Sequence, residues 1–571
     1  VVTATGMETE IGRIGRMVEG VEDEATPLER RLDLLGRRLV WFTLGIAALA
    51  VGAGGLRGVP WGRMVETGIA LAVAAVPEGL PAVATIALAI GLRRMARRKA
   101  LVRELNAVEA LGSTTVVCTD KTGTLTAGEM TVLRVVTPAG ELEVTGRGYR
   151  EEGGFTRDGE PAGPDSLPGM DRLLRVAALT PRARLAPDGP QGDPTDAALL
   201  VLARKGGLDR ESLGLPPVGE IPFSSETRLS VSFHKEAHGH RAYLKGAPEA
   251  VLGRSGTVMG ADGPESLTPE IREALLRRNR ELAEEGLRVI ALAEAESAPA
   301  REVPEELTFL GLVGMIDPPA PGVAETIGRL QRAGIRTLVL TGDQGATALA
   351  VARSVGLSAE PDQVVGSREV AALDDAELIR TVARATLFSR VSPEEKLRIV
   401  DALRDSGEIV AMLGDGVNDA AALKRADVGV AMGIRGSDVA KETADIVLED
   451  DRFTTVGAAV EEGRVIFDNI RKFVFYLFGC NVAEILVVTS ASVVGLPLPL
   501  LPLQILWLNL VTDTFPALAL AVEPAEPDVM SRPPRDPRAG ILSRAFVTSL
   551  SFFALLITAA TLGVYLWGLA T

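Results

Sequence analysis

Two groups of long apolar runs, set either side of an extended charged middle, constrain this chain more than any other feature. Five segments each approach the roughly 20 apolar residues needed to cross a bilayer core: residues 39–59, 65–92, 473–496, 498–520 and 546–569. Basic clusters flank them. Arg93, Arg94, Arg97, Arg98 and Lys99 follow the second run, Arg471 and Lys472 precede the third, and Arg532, Arg535, Arg538 and Arg544 lie between the fourth and fifth. Lys and Arg concentrate on the cytoplasmic side of membranes, which places all three clusters inside. The long middle, residues 100–465, is then cytosolic, and the fifth span ends outside. Composition agrees, because a mean hydropathy of +0.21 coexists with 24% charged residues. That pairing suits membrane helices joined to large cytosolic domains. The net charge of −15 argues against a general nucleic-acid binder. Two cysteines, Cys118 and Cys480, exclude a disulfide scaffold and a Cys-rich zinc module. The histidines, His234, His238 and His240, are close together and read as a solvated hairpin rather than a metal site.

The middle reads as α/β. Ser113–Asp120, Ile335–Asp343 and Glu408–Asp419 each contain a β-rich run that ends in an acid beside glycine, and helical stretches such as 322–333 and 393–405 lie between them. Alternating strands and helices imply a parallel sheet with ligands at the carboxyl ends of its strands. Asp120, Asp343 and Asp415 are therefore expected on one rim. A Gly/Pro-rich stretch, 137–170, marks entry into a second cytosolic domain inserted after the first strand.

Asp120-Lys121-Thr122-Gly123-Thr124-Leu125-Thr126 carries the most chemistry. An Asp at a strand end can attack the γ-phosphate of ATP and form an aspartyl-phosphate. Lys121 and the amides of a Gly-containing turn suit a phosphate. Asp415 can help Asp120 hold Mg²⁺, whose ligands are hard oxygens. Lys396, in Ser-Pro-Glu-Glu-Lys, can neutralise phosphoryl charge.

This run, followed in order by Thr341-Gly342-Asp343 and Gly414-Asp415-Gly416-Val417-Asn418-Asp419, resembles the phosphorylation motifs of the P-type ATPases. The resemblance implies a multidomain membrane protein: an α-helical transmembrane bundle plus an α/β phosphorylation domain of the haloacid-dehalogenase type, with an inserted α+β nucleotide-binding domain. It implies that Asp120 is phosphorylated and that Thr122 and Asp415 contact Mg²⁺ and phosphate. Thr341, Gly342, Lys396, Asn418 and Asp419 match residues around the phosphate. Gln344, Leu413 and Ala421 depart from the common pattern but spare the catalytic groups.

The implied domains are 1–38 (actuator remnant and linker), 39–98 (helix pair), 99–131 and 314–452 (phosphorylation domain), 132–313 (nucleotide-binding domain) and 453–571 (stalk and three helices). In the inserted domain Phe223 offers an adenine-stacking face, Arg228 lies nearby, and Lys245 sits beside Gly246, where a phosphate or base can approach the backbone. The resemblance assigns Phe223, Lys245 and Arg288 to ATP and places Asp196 near the adenine. Asp317, in Asp-Pro-Pro-Ala-Pro-Gly, is a weaker nucleotide candidate at the hinge.

Ionisable groups within membrane spans are costly and mark function. Pro77-Glu78-Gly79-Leu80-Pro81 cannot sustain a regular helix, and its freed carbonyls suit a cation. Asn481 and Glu484 are spaced i,i+3, and Asn509, Thr512 and Asp513 fall at i, i+3 and i+4. An all-oxygen set suits Ca²⁺ better than a soft transition metal. Here the resemblance narrows to calcium pumps of the sarco/endoplasmic-reticulum type. It implies one site from carbonyls matching Val73, Ala74 and Val76 with Glu78, Asn509 and Asp513, and another from Asn481, Glu484, Thr512 and Asp513. Proton return on the same carboxylates is expected. Pumping of Mn²⁺, Na⁺/K⁺ or H⁺, and a membrane-anchored phosphohydrolase that moves no ion, are the alternatives. The Arg-rich, Lys-poor, Ala- and Gly-rich usage points to a prokaryotic plasma membrane. ATP, the transported cation and the lipid bilayer are the expected partners, with no obligate protein partner evident. Residues 1–14 look like an actuator-domain tail, no Thr-Gly-Glu loop precedes the first span, and further spans are expected on both sides, so a transport cycle is not expected of this stretch alone.

Overall fold

The computed structural model describes residues 60–535 and 543–571, apart from 75–78, 187–188, 225, 237–238 and 298–301, together with a few positions between 41 and 52. The span expected at 39–59 lies almost wholly outside the described residues.

An eight-stranded sheet forms the first cytosolic body. Its order is 100–102, 446–448, 428–432, 410–414, 116–119, 336–341, 387–389, 364–366. All neighbours are parallel except the edge strand Ala100–Val102. Val116–Thr119 and Val410–Gly414 are buried at every position. A strand covered by helices on both faces must be apolar throughout, which is how these runs read in sequence. Val116–Thr119 is central, flanked by Val410–Gly414 and Arg336–Thr341 from much later in the chain. Their carboxyl ends therefore bring Asp120, Asp415 and Asp343 to one rim.

The chain then leaves through Thr131–Thr137 and returns through Leu307–Ile316, and these two strands pair with each other, Val136 opposite Leu312 and Thr131 opposite Ile316. Between them is a second, 11-stranded sheet, mostly antiparallel. The insertion thus hangs on one double-stranded connection. One of its histidines, His234, departs from a solvated hairpin, and His238 lies outside the described residues. His234 does lie in the hairpin of Leu229–Glu236 and Gly239–Gly246 but is only 1% exposed. Its Nδ1 donates to the Leu215 carbonyl at 2.6 Å and its Nε2 accepts from the Ser232 hydroxyl at 2.8 Å, which satisfies the ring without water. Burial lowers its pKa.

Among the described residues three helices are long and apolar enough to cross a membrane: Phe453–Val494, Pro502–Ala521 and Arg544–Ala570. The run expected at 65–92 consists of two helices, Trp61–Ala74 and Gly79–Arg97, with 75–78 between them outside the described residues. The expected third span is the end of a continuous 42-residue helix. At 1.5 Å per residue it is about 63 Å long, twice a bilayer core, so half of it is a cytosolic stalk. That half lacks a hydropathy signal because it packs on protein. Gly463 meets Gly112 of the Leu105–Gly112 helix so closely that a Cβ on Gly463 would lie 2.8 Å from the Gly112 nitrogen. Arg464 donates to the carbonyls of Val529 (3.0 Å), Arg532 (2.8 Å) and Ala333 (2.9 Å), joining stalk, membrane-proximal loop and sheet domain.

Gly463→Val should overpack this contact at a cost of about 1–3 kcal/mol. The apparent unfolding temperature in detergent should fall by several degrees, whereas Gly479→Ala in the same helix, with open space beside it, should not change it. Equal temperatures for the two variants would contradict the close-packed junction.

Candidate active site

Asp120 caps the strand Val116–Thr119, and its carboxylate accepts from the Lys121 N–H at 2.6 Å. Its other oxygen meets Lys396 Nζ at 2.8 Å, and the same ammonium lies 2.7 Å from Asp419. Lys396 stands in the first turn of the helix Pro393–Asp405, started by Ser392 at its N-cap with Glu395 reaching back to the Ser392 N–H. Capping therefore aims the lysine inward. Burial opposes its charge, but Asp419 and Asp120 outweigh that and hold its proton above the ordinary lysine range. Asp415 follows Val410–Gly414. Burial, then the charges of Asp419 and Asp120, push its carboxyl above the usual range, with Arg435 acting in the opposite sense. Asp419 is buried, and a Cβ on Gly414 would come within 2.5 Å of it, so glycine is required where the strand passes this acid.

On the other flank Thr341 is buried at its strand end and its hydroxyl accepts from the Asp343 N–H at 3.2 Å. Asp343 pairs with the buried Lys121, and the Thr122 hydroxyl is 3.5 Å from Asp343 Oδ2. Lys121 thus faces Asp343, not Asp120. Thr122, Gly342 and Asn418 are exposed on the rim. Asp120 and Asp419 share one ammonium and Asp415 feels the charge of both, and this excess of hard anionic oxygens fits Mg²⁺. Among the described residues no three His, Cys, Asp or Glu side chains form a ready-made metal cluster. That suits a Mg²⁺ held by one or two carboxylates and completed by substrate oxygens and water.

The second sheet gathers the other predicted residues at one end. Phe223 follows the strand Pro217–Ile221, Arg228 precedes Leu229–Glu236, Lys245 and Gly246 end Gly239–Gly246, and Arg288 begins Arg288–Ser297. Antiparallel pairing puts all four strand ends on the same side. Phe223 is 66% exposed, so it is not a core residue. Arg228 and Arg288 are also exposed. Asp196 lies in the first turn of the helix Pro194–Lys205, where one oxygen pairs with Lys245 and the other accepts from the Arg182 N–H at 2.8 Å. Burial lowers the Lys245 pKa, countered by Asp196. A Cβ on Gly246 would lie 2.6 Å from the Arg228 carbonyl.

Asp317 fastens the base of the insertion to the segment after Asp120. It is buried, and its oxygens accept from Thr126 Oγ1 (2.6 Å), Gly128 N–H (2.8 Å) and Glu129 N–H (3.1 Å). Its partners are far away in sequence, so no local signal revealed this role.

In the membrane helices Asn481, Asn509 and Asp513 are buried and Glu484 is half-buried. The Asn509 amide, oriented to donate, is 3.2 Å from both Glu484 oxygens. The Asn481 amide nitrogen is buried without a partner among the described residues. Thr512 departs from the single helical face expected of it. Leu508–Thr512 is a π-helical turn in which the Asp513 N–H bonds Leu508 at 2.9 Å, and the widened turn leaves Thr512 exposed while Asn509 and Asp513 stay inside. Gly79 abuts this turn, since a Cβ there would be 2.7 Å from Thr514 Oγ1. Ala74 is buried and Val73 half-buried at the end of their helix. Val76 and Glu78 lie outside the described residues.

Residues 169–322 match the family model described as P-type ATPase, cytoplasmic domain N, and residues 497–571 match cation transporting ATPase, C-terminus. The chain is 44% identical to a probable cation-transporting ATPase F of Mycobacterium tuberculosis (100% of this chain, 64% of that protein). It is 43% identical to a calcium-transporting ATPase of Bacillus subtilis (95% and 62%) and 38% identical to the human calcium-transporting ATPase type 2C member 1 (99% and 61%). The chain thus spans less than two thirds of the length of these relatives. It carries domains of the P-type cation ATPases.

With Asp120 as the phosphate acceptor proposed below, Lys396→Met should reduce label on it from γ-labelled ATP by about 100-fold or more. Binding of a fluorescent ATP analogue should stay within about two-fold, because the Phe223–Lys245 face is separate. A parallel loss of both would contradict the division into two sites.

Proposed function

We propose that this chain is the central part of an ATP-driven pump that exports Ca²⁺ from the cytosol through an aspartyl-phosphate at Asp120. The observation that carries the reading is the joint presence of the Lys396-held Asp120 at the sheet rim and a buried oxygen set, Asn481, Glu484, Asn509 and Asp513, in the membrane helices. A phosphohydrolase has no use for the second.

In this reading ATP docks with its base on Phe223 and its phosphates near Lys245, Arg228 and Arg288, with Asp196 holding Lys245 in place. Asp120 attacks the γ-phosphate and ADP leaves. Lys396 offsets charge on the transferred group. Asp415, Thr122 and Asp120 would hold Mg²⁺, which when bound neutralises phosphate charge. Thr341, Gly342, Asn418 and Asp419 line the phosphate, and Asp343 fixes Lys121. Ca²⁺ takes the carboxylates and amide oxygens of the membrane set, with Val73, Ala74, Val76 and Glu78 as further proposed ligands. Proton return on the same carboxylates and a prokaryotic plasma-membrane location complete the proposal. The names of the bacterial and human calcium-transporting relatives support Ca²⁺ over Na⁺, K⁺ or H⁺.

ATP-driven ⁴⁵Ca²⁺ uptake into inverted vesicles from cells expressing the protein tests this, with Mn²⁺ as competitor. Uptake should saturate with Ca²⁺ and fall by about ten-fold or more in Glu484→Gln and Asp513→Asn, which each remove a charged ligand. Uptake of Mn²⁺ in preference to Ca²⁺ would overturn the substrate. ATP turnover unchanged by either variant, with no uptake, would favour the phosphohydrolase.

A further inference from the structure

The loop after the strand Val428–Met432 carries Arg435, to which no sequence motif gives a role. Its backbone and side chain are both anchored by Asp451. One Asp451 oxygen accepts from the Ile434 N–H at 2.9 Å, and the other accepts from the Arg435 N–H at 2.8 Å and from Arg435 Nε at 3.3 Å. Asp451 is buried and held at φ +53°, an uncommon conformation for a residue other than glycine. So fixed, the guanidinium reaches across the sheet rim. Nη2 donates to the Gly123 carbonyl at 2.5 Å and Nη1 to the Ala127 carbonyl at 3.4 Å.

The first of those carbonyls belongs to the residue right after Thr122, and together they span the turn that Asp120, Lys121 and Thr122 lead into. Gly123 and Gly128, both at φ +71°, lie against the same guanidinium, and a Cβ would approach Nη1 to 2.9 Å at Gly123 and 2.6 Å at Gly128. The loop bearing Arg435 also grips the opposite acid, because the Ser437 N–H donates to the Asp415 carbonyl at 2.8 Å. One short loop therefore contacts the main chain of both proposed Mg²⁺-binding segments. A planar fork of donors suits two separate carbonyls in a way that a lysine ammonium does not.

We propose that Arg435 is a positioning residue for phosphoryl transfer, clamping the Gly123–Ala127 main chain so that Asp120 and Thr122 stand correctly toward Asp415. The inference rests on Asp120 being the phosphorylated residue. The clamp acts through the backbone and not on substrate, so its removal should alter the metal dependence of the reaction and leave nucleotide binding alone.

The test uses the intact protein in membranes, γ-labelled ATP at saturation and a Mg²⁺ titration, for wild type, Arg435→Ala, Arg435→Lys and Asp451→Asn, with Asp120→Asn as control. Arg435→Ala should label about ten-fold or more slowly and need about five-fold more Mg²⁺ for half-maximal rate, with fluorescent ATP-analogue binding unchanged. Arg435→Lys should recover only part of the rate, and Asp451→Asn should show the same Mg²⁺ shift in weaker form. Added methylguanidinium should speed Arg435→Ala and leave Asp120→Asn unlabelled. Wild-type Mg²⁺ dependence in Arg435→Ala would overturn the inference, as would a loss of label that tracks lowered thermal stability and ignores methylguanidinium. A wild type that forms no label would overturn the phosphorylation reading itself, which the other outcomes leave standing.

Discussion

A lysine ammonium held between two carboxylates at the end of a buried strand is the interaction on which the cytosolic architecture turns. Lys396, Asp120 and Asp419 come from three separate stretches of the chain, and each is costly to bury alone. They meet only because Val116–Thr119 is the central strand and Val410–Gly414 its neighbour. The ammonium offsets one of the two charges it touches, and Asp415 adds another acid beside them. The rim is left with more negative charge than its own cations balance, and this imbalance makes the site receptive to a divalent cation and to the phosphate oxygens such a cation brings.

Two connections join that rim to the rest of the molecule. Above it, the inserted sheet leaves and returns on paired strands whose base is fastened by Asp317 to Thr126, Gly128 and Glu129. The Phe223–Lys245 face and Asp120 are thus linked through the very segment that follows Asp120. Below it, the Gly112–Gly463 contact and Arg464 fix the sheet domain to a helix that continues unbroken to Asn481 and Glu484. From Gly463 to Asn481 that helix rises about 27 Å, so a stiff element runs from the phosphorylation domain to the oxygen set in the membrane. A continuous rod is a physical means by which cation occupancy and acyl phosphorylation can influence each other.

The rim was legible in sequence because buried parallel strands are continuous apolar runs and each of these ends in an acid beside glycine. The nucleotide face was legible in part. Phe223, Lys245 and Arg288 fall at one sheet end, but the Lys245–Asp196 pairing is a tertiary contact with no local trace. Helix continuity from Phe453 was hidden because the stalk's cytosolic half is covered by protein and carries no membrane signal. The π-helical turn at Leu508–Thr512 defeated an argument from α-helical spacing and turned Thr512 outward. His234 looked like a hairpin residue and is one, yet a serine hydroxyl and a backbone carbonyl let it be buried. Asp317 and Arg435 act on residues distant in the chain, which no spacing rule reaches.

In the proposed pump, cation binding among the membrane carboxylates governs phosphorylation of Asp120. Acid-stable, hydroxylamine-sensitive label from γ-labelled ATP, followed as free Ca²⁺ is raised from chelator levels and with Asp120→Asn as control, measures that link directly. The account predicts label that rises with Ca²⁺, is absent in chelator and is absent from Asp120→Asn. Equal label with and without Ca²⁺, or label that persists in Asp120→Asn, would contradict it.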